Sequence, residues 1–196
     1  MFQTKRSIIR EPSWKLPGHR CRLMPPPGIL AWLADSGSLT QRVRKACHGR
    51  FSVKVLRQGY SRPYYGESKL LCVRPTSAAV IREVQLQCND HPWVFARTII
   101  PVGSLKGSAR RLTLLGNRPL GAVLFADPTA KRSQMQFAEL FEGHSLFESA
   151  VDGLPVRPHS LWGRRTLFHL AGKPLLVNEI FMPGIPLTED GDHDAP

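Results

Sequence analysis

The sequence predicts a single α+β domain, in which about six antiparallel strands form a sheet with helices packed on it. The strands are recognised by the alternation of apolar and polar side chains in segments such as RFSVKVLRQG and AAVIREVQLQC. Most of these segments are joined by short connections with little room for helical crossovers, which favours antiparallel pairing. A chain of 196 residues is long enough for one substantial core and short for two full domains.

The chain begins with a basic, proline-containing segment over residues 1–27, which we expect to form an irregular arm. The next stretch, GILAWLADSGSLTQRVRKACHG, predicts two short helices. Ser36 or Ser38 would cap the second helix and Gly49 would end it. The folded domain is expected over residues 28–186, followed by an acidic, frayed tail over 187–196.

The strand signals follow in order after these helices. A turn at NDHP joins AAVIREVQLQC to HPWVFARTIIPV, and SQMQFAELF alternates further along. The segment RRTLFHLAGKPLLVNEIFMP predicts a hairpin joined through Ala171-Gly172-Lys173. Residues 143–160 contain Gly, Pro and mixed polarity and are interpreted as a surface insertion. We find no internal sequence repeat.

The charge of the chain is concentrated near its start. The net charge is +12, and residues 1–58 hold 12 Lys and Arg against 2 Asp and Glu. Such a basic region could touch nucleic acid or anionic lipid, but a solvated surface that attracts small anions is the better interpretation. No apolar stretch approaches the roughly 20 residues needed to span a bilayer, and no secretory signal is present. We therefore expect a cytoplasmic monomer without nucleic-acid partner or stable membrane insertion.

The cysteines give no sign of a metal site. The four of them are widely spaced, and none of the histidines has metal-ligand spacing relative to another. Free thiols in a reducing compartment are the expected state. The cysteines are Cys21, Cys47, Cys72 and Cys88.

Two strands each carry one isolated charge in an apolar run. Arg97 lies in WVFARTIIPV, and Glu179 lies in PLLVNEIFMP on the face shared by Leu175, Val177 and Phe181. A buried Arg97–Glu179 salt bridge is one interpretation, because buried charges normally find a partner. The other is an apolar pocket for a small ring-shaped acid, in which the arginine binds a carboxylate and the glutamate accepts from a hydroxyl. Periodicity does not separate the two.

Several blocks of the sequence follow one another from about residue 28 to residue 186: SLTQRV with VLRQG, WVFARTIIPV, GNRPLGAVLF, and LWGRRTLFHLAGKPLLVNEIFMP. In content and order these blocks resemble the chorismate lyase family. The resemblance implies an enzyme of ubiquinone biosynthesis that converts chorismate to 4-hydroxybenzoate and pyruvate without metal or organic cofactor. It also implies a compact antiparallel sheet with helices.

The resemblance assigns roles to four residues. Arg97 would hold the ring carboxylate and Glu179 would meet the ring hydroxyl, and both are expected to take part in catalysis. Two covering segments would bind the ligand chiefly through their backbone, at Leu120 and at Leu39, where the family pattern has methionine. For the second carboxylate of chorismate, Arg164 and Arg165 are candidates, although paired arginines at a strand start are more often surface residues.

The resemblance leaves one alternative of a different class. Some bacterial transcription repressors carry an effector domain of similar fold that binds a small acid without converting it. A sensor of this kind should carry a DNA-binding helical domain, and the 27 residues before the common region are too few for one. The enzyme is therefore favoured.

Overall fold

Six antiparallel strands form one continuous sheet in the order β1-β2-β3-β6-β5-β4. The computed structural model describes residues 9–18, 24–105 and 107–187. Each predicted strand is confirmed, and the α+β class with it. The strands are β1 Phe51–Ser61, β2 Ala79–Cys88, β3 His91–Pro101, β4 Lys131–Phe141, β5 Ser160–Leu170 and β6 Lys173–Phe181.

Within these described ranges, five short α-helices accompany the sheet: α1 Pro27–Ala34, α2 Leu39–Ala46, α3 Tyr65–Leu70, α4 Leu120–Ala126 and α5 Ser145–Val151. Two 3₁₀ segments, Val102–Ser104 and Gly107–Leu114, precede α4. None of the helices in the described ranges is long and apolar enough to cross a bilayer.

The two helices expected after the arm are present, with one change at the end of α2. Ser38 is the N-cap of α2, and its hydroxyl accepts a hydrogen bond from the Gln41 N–H at 3.4 Å. The expected end at Gly49 is wrong. The backbone becomes extended at Cys47, so the helix stops after Ala46.

Both tight hairpins of the sheet use left-handed two-residue turns. Asn89 and Asp90 have φ of 49° and 64°, and Ala171 and Gly172 have φ of 48° and 74°. Two successive positive φ values match the twist of antiparallel strands, as in a type I′ turn. The predicted turns at NDHP and at Ala171-Gly172-Lys173 are therefore confirmed.

The order of elements repeats along the chain, although the sequence shows no repeat. The first half runs α1-α2-β1-α3-β2-β3 and the second runs α4-β4-α5-β5-β6. In each half the first strand lies at an edge of the sheet, and the last strands of the halves, β3 and β6, pair at its centre. The centre of the sheet is thus a seam between two similar units.

The interpretation of residues 143–160 as a surface insertion is wrong. Helix α5 lies within it, and Leu146, Phe147, Ala150 and Val151 are all buried in a core cluster on the sheet. Part of the expected arm also packs on the domain, since Lys15 exchanges two backbone hydrogen bonds of 2.8 Å with Phe137 of β4. The tail beyond residue 187 lies outside the described residues.

The expectation of free thiols is wrong for one pair of cysteines. Cys47, directly after α2, and Cys88, the last residue of β2, form a disulfide with a Cα–Cα distance of 5.7 Å. Their 41-residue separation in sequence hid this proximity. Cys72 is a free, exposed thiol, and Cys21 lies outside the described residues.

The sheet has two covered faces, set by the pairing at the central seam. Ala96 of β3 pairs with Glu179 of β6, and the next pair is Arg97 with Asn178. Because neighbouring residues on a strand point to opposite faces, Ala96 and Glu179 share the front face and Arg97 and Asn178 share the back face. Helices α1, α2 and α4 pack against the front face, and α3 and α5 against the back.

Candidate active site

A cavity lies between the front face of the sheet and the helices that cover it. We call it the sheet cavity. Its floor comes from five strands, and its roof comes from the starts of α2 and α4. Apolar side chains make up much of its wall, and the charged side chains on it are Arg82, Arg132, Arg164 and Glu179. A mostly apolar cavity with a few convergent polar groups is typical of a small-molecule site.

Arg82 of β2 is a buried cation whose guanidinium is only partly hydrogen-bonded. The residue is 2% exposed, and its Nη2 donates to the carbonyl oxygens of Gly116 and Arg118 at 2.8 and 3.1 Å. Its Nε is buried and meets no hydrogen-bond partner in the described parts of the chain. Burial lowers the pKa of Arg82, because desolvation disfavours the charged form. An anion entering the cavity would satisfy this guanidinium.

Glu179 of β6 shares the cavity wall with its cross-strand partner Arg164 of β5. The Arg164 Nε donates to Glu179 Oε2 at 2.5 Å. The other carboxylate oxygen, Oε1, makes no hydrogen bond with any residue in the described ranges. Glu179 therefore keeps one acceptor oxygen for a ligand.

Arg164 also fixes the roof of the cavity. Its Nη1 donates to the carbonyl oxygens of Trp32, Leu33 and Asp35 at 3.1, 3.3 and 2.6 Å. These carbonyls lie at the end of α1, where the last turn has no intrahelical donors, and a cation there is favourable. Arg164 thus links Glu179 to the cover of the site.

Leu39 and Leu120 both line the cavity, each as the first residue of its helix. The first N–H groups of a helix have no intrahelical acceptor. Backbone donors are therefore available at both positions, which is where the sequence resemblance places backbone contacts. The two roof helices also touch: a Cβ added at Gly121 would lie 3.1 Å from Thr40 Oγ1.

The expectation that Arg97 shares a pocket with Glu179 is wrong in its geometry. Arg97 points to the back face, where its Nε and Nη2 donate to Glu67 at 2.9 and 3.1 Å and its Nη1 donates to Glu83 at 2.6 Å. The guanidinium also lies 4.1 Å from the ring centroid of Tyr64. Arg97 thus has its ion pairs on the side of the sheet away from the cavity, and no salt bridge joins it to Glu179.

The back-face ion pairs form what we call the buried charge cluster, comprising Glu67, Glu83, Arg97 and Asn178. The Asn178 amide donates to Glu67 at 3.0 Å, and both glutamates are almost fully buried. Burial acts to lower the pKa of Arg97, but the carboxylate of Glu67 outweighs it and the pKa is raised. All three guanidinium nitrogens of Arg97 donate within this cluster, and the residue is only 2% exposed.

The two arginines considered for binding a second carboxylate, Arg164 and Arg165, lie on opposite faces of the sheet. Arg164 lies in the cavity, and Arg165 lies on the back face, where its Nε donates to Gln136 at 2.6 Å. Burial lowers the pKa of Arg165 to about 10. Its guanidinium is 4.9 Å from the ring centroid of Trp14. Both arginines are buried rather than on the surface, and only Arg164 can reach a ligand in the cavity.

Sequence reasoning missed two cavity arginines, Arg82 and Arg132. Arg82 carried the same signal that drew attention to Arg97, because it is the one charge on the face formed by Val80, Val84 and Leu86. Arg132 lies near the start of edge strand β4, before the alternating pattern begins, and no pattern distinguished it from a surface residue.

The fold and the cavity together define a class of protein: an α+β domain with a cavity between an antiparallel sheet and two helix starts, lined by apolar side chains and several arginines. A family model described as chorismate lyase matches residues 14–188. The chain belongs to the chorismate lyase family.

Curated relatives support the family over most of the chain. A probable chorismate pyruvate-lyase of Methylococcus capsulatus is 41% identical over 155 residues, covering 79% of this chain and 94% of the relative. A probable chorismate pyruvate-lyase of Nitrosospira multiformis is 40% identical over 159 residues, covering 81% and 88%.

Solved structures of transcriptional regulators share the fold. The effector domain of PhnF from Mycobacterium smegmatis has a TM-score of 0.52 at 12% identity, covering 78% of this chain and 93% of that domain. A GntR-family regulator from Enterococcus faecalis has a TM-score of 0.51 at 12% identity, covering 74% and 100%. At such low identity the similarity concerns the fold alone.

Proposed function

We propose that the protein converts chorismate to 4-hydroxybenzoate and pyruvate, the first committed step toward ubiquinone. The observation that carries this proposal is the sheet cavity itself: Arg82 and Glu179 share its wall, and within the described residues the Arg82 Nε and the Glu179 Oε1 have no hydrogen-bond partner. A ring acid with a hydroxyl opposite its carboxylate has complementary groups at both ends.

The roles of the residues follow from their place in the cavity. Arg82 takes the role that the resemblance gave to Arg97 and binds the ring carboxylate. Glu179 Oε1 accepts a hydrogen bond from the ring hydroxyl. Backbone N–H groups at Leu39 and Leu120 donate to the ligand from the roof. These contacts would hold the substrate in one orientation and exclude water from it.

The reaction breaks the ether C–O bond between the ring and the enolpyruvyl group. The electron pair stays on the departing oxygen, and the hydrogen on the hydroxyl-bearing carbon moves to the enolpyruvyl methylene, which gives pyruvate and an aromatic ring. Aromatisation makes the reaction downhill. The protein therefore has to orient the substrate and stabilise negative charge on the departing oxygen, for which the cavity arginines are suited.

A direct assay tests the proposal. Purified protein is incubated with chorismate, and 4-hydroxybenzoate is followed by absorbance while pyruvate is measured with a coupled dehydrogenase. We expect both products in equal amounts. A protein that binds 4-hydroxybenzoate but forms none from chorismate would be a sensor of small acids with the same fold, which is the alternative function.

Replacing Glu179 by Gln should lower kcat/KM for chorismate by about 10- to 100-fold, the value of a lost charged hydrogen bond. The amide oxygen can still accept from Arg164, which also keeps its three carbonyl acceptors. We therefore expect the free energy of unfolding to fall by only about 1–2 kcal/mol. Steady-state kinetics and urea unfolding measure the two effects. A variant that melts far below wild type yet turns over normally would make Glu179 structural.

Treatment of the protein with a chelator, followed by dialysis, should leave the rate of 4-hydroxybenzoate formation from chorismate unchanged. We propose that neither a metal nor an organic cofactor takes part, because the elimination involves no redox step and aromatisation supplies the driving force. Initial rates before and after treatment are compared at equal protein concentration. A loss of activity that a divalent ion restores would contradict this.

A further inference from the structure

The charges on the wall of the sheet cavity do not balance. Three arginines, Arg82, Arg132 and Arg164, face a single carboxylate, that of Glu179. Glu179 is already paired with Arg164. Among the described residues the cavity wall therefore carries two further positive charges, on buried Arg82 and on half-buried Arg132, and a positive charge removed from water normally has a negative partner. A ligand with two carboxylates would neutralise both.

Arg132 is the second unsatisfied guanidinium. Its Nη1 and Nη2 donate to the carbonyl oxygens of Ser36 and Gly37 at 2.5 and 3.2 Å, just before α2 begins. Its Nε is buried and has no partner within the described residues. A guanidinium has five N–H donors, so donors remain for an anion. Burial lowers the pKa of Arg132, and so does the nearby charge of Arg164.

Aromatic rings hold the Arg132 side chain in place at the edge of the cavity. Its guanidinium carbon lies 5.7 Å from the ring centroid of Phe125 and 5.4 Å from that of Phe168. Both phenylalanines also line the cavity. Cation–π contacts with two rings help to orient the planar group without neutralising its charge. The arginine is thus preorganised for a planar anion.

The order of the charged groups across the sheet matches the order of groups in chorismate. From β2 to β4 the wall presents Arg82, then Glu179 of β6, then Arg164 of β5, then Arg132. Strands β2 and β4 are four spacings apart, so at about 4.8 Å per spacing their backbones are about 19 Å apart. The long side chains of Arg82 and Arg132 make the distance between the two guanidinium groups shorter than this. In chorismate the ring carboxylate is opposite the hydroxyl, and the enolpyruvyl group is on the carbon beside that hydroxyl.

We propose that Arg132 binds the enolpyruvyl carboxylate of the substrate, which makes it a specificity residue that separates substrate from product. This rests on the proposed function. When the ether bond breaks, the enolpyruvyl carboxylate leaves with pyruvate, and the remaining 4-hydroxybenzoate has no group for Arg132. Arg82 serves both substrate and product, whereas Arg132 serves only the substrate.

The test compares substrate and product binding in Arg132→Met. We expect KM for chorismate to rise about 10- to 100-fold, while Kd for 4-hydroxybenzoate, measured by calorimetry, changes less than about threefold. Arg50→Met is the matched control, because Arg50 is an exposed arginine paired with Asp90 far from the cavity, and it should change neither value. If Arg132 only closed the roof through Ser36 and Gly37, both ligands would weaken in parallel. That result, or an unchanged KM, would overturn the proposal.

A second measurement does not depend on turnover. The dicarboxylate 3-(carboxymethoxy)-4-hydroxybenzoate adds an acidic arm beside the hydroxyl of the product. Its affinity relative to 4-hydroxybenzoate should fall about 10- to 100-fold in Arg132→Met. An equal ratio in wild type and variant would overturn the role of Arg132 even in an active lyase. Absence of chorismate turnover in wild type would overturn the lyase function, while this ratio would still decide the subsite. Arg132→Gln replaces the methionine variant if the latter does not fold.

Discussion

Replacing Arg82 by Met is expected to remove ligand binding while leaving the fold intact. Truncating one partner of a desolvated charge pair costs about 2–5 kcal/mol of binding, which is roughly 30-fold to more than a thousandfold in Kd for 4-hydroxybenzoate. The empty protein should unfold within about 1 kcal/mol of wild type, because the lost hydrogen bonds to two carbonyls are offset by removal of a buried cation without an ionic partner. Calorimetry and urea unfolding give the two values.

Loss of ligand binding together with unchanged stability would identify Arg82 as the residue that binds the carboxylate. Arg74→Met, at an exposed position, is the control and should behave as wild type in both. A variant at Arg82 that binds 4-hydroxybenzoate normally would remove this residue from the site. A variant that loses several kcal/mol of stability would show that Arg82 mainly holds the segment around Gly116 and Arg118 in place.

Replacing Arg97 by Met should lower the stability of the protein and leave ligand binding unchanged, the opposite of what is expected for Arg82→Met. Two almost fully buried carboxylates, Glu67 and Glu83, would lose their shared partner. Breaking a buried ion pair from one side costs about 3–5 kcal/mol, because the remaining charge is uncompensated. We expect a fall of this size in the free energy of unfolding by urea, and normal ligand affinity in whatever fraction remains folded.

Two further variants separate a network effect from simple loss of volume. Arg57→Met removes the other partner of Glu83, but its side chain is 65% exposed, so the cost should stay below about 1 kcal/mol. Adding Glu67→Gln and Glu83→Gln to Arg97→Met should recover part of the lost stability, since no unpaired buried charge remains. If Arg97→Met were as stable as wild type but failed to bind ligand, Arg97 rather than Arg82 would be the residue that binds the ring carboxylate.

Local patterns in the sequence were sufficient for the strands and their hairpins. Alternation identified all six strands, and the turns at Asn89-Asp90 and Ala171-Gly172 set the hairpin pairings. The pairing of β3 with β6 joins segments about 80 residues apart, and no turn sets its register. Since a shift of one residue exchanges the faces, the sequence could not tell whether Arg97 or Ala96 would lie beside Glu179.

An irregularity in one hairpin decided the partner of Arg97. The register of β2 and β3 shifts between Leu86 and Gln87, so that Glu83 rather than Arg82 lies opposite Arg97. A bulge of this kind has no strong sequence signal. The same limit applies to Arg132, whose neighbours Ser36 and Gly37 are more than 90 residues away in the chain. Leu39 and Leu120 came from the family resemblance alone, whereas Glu179 was also indicated by its isolated charge, and all three line the cavity.

The repeated halves of the fold have a consequence for the direction in which a ligand binds. Arg82 and Arg164 lie on the second strand of their respective halves, so the repeated backbone alone would present similar cations on the two sides of the central seam. Glu179 breaks this equivalence, because the second half gains a hydrogen-bond acceptor while the Arg82 end offers donors. A hydroxy acid can satisfy donors with its carboxylate and the acceptor with its hydroxyl in one direction only. The site therefore has a polarity that its backbone lacks, and reversed, unproductive binding is disfavoured.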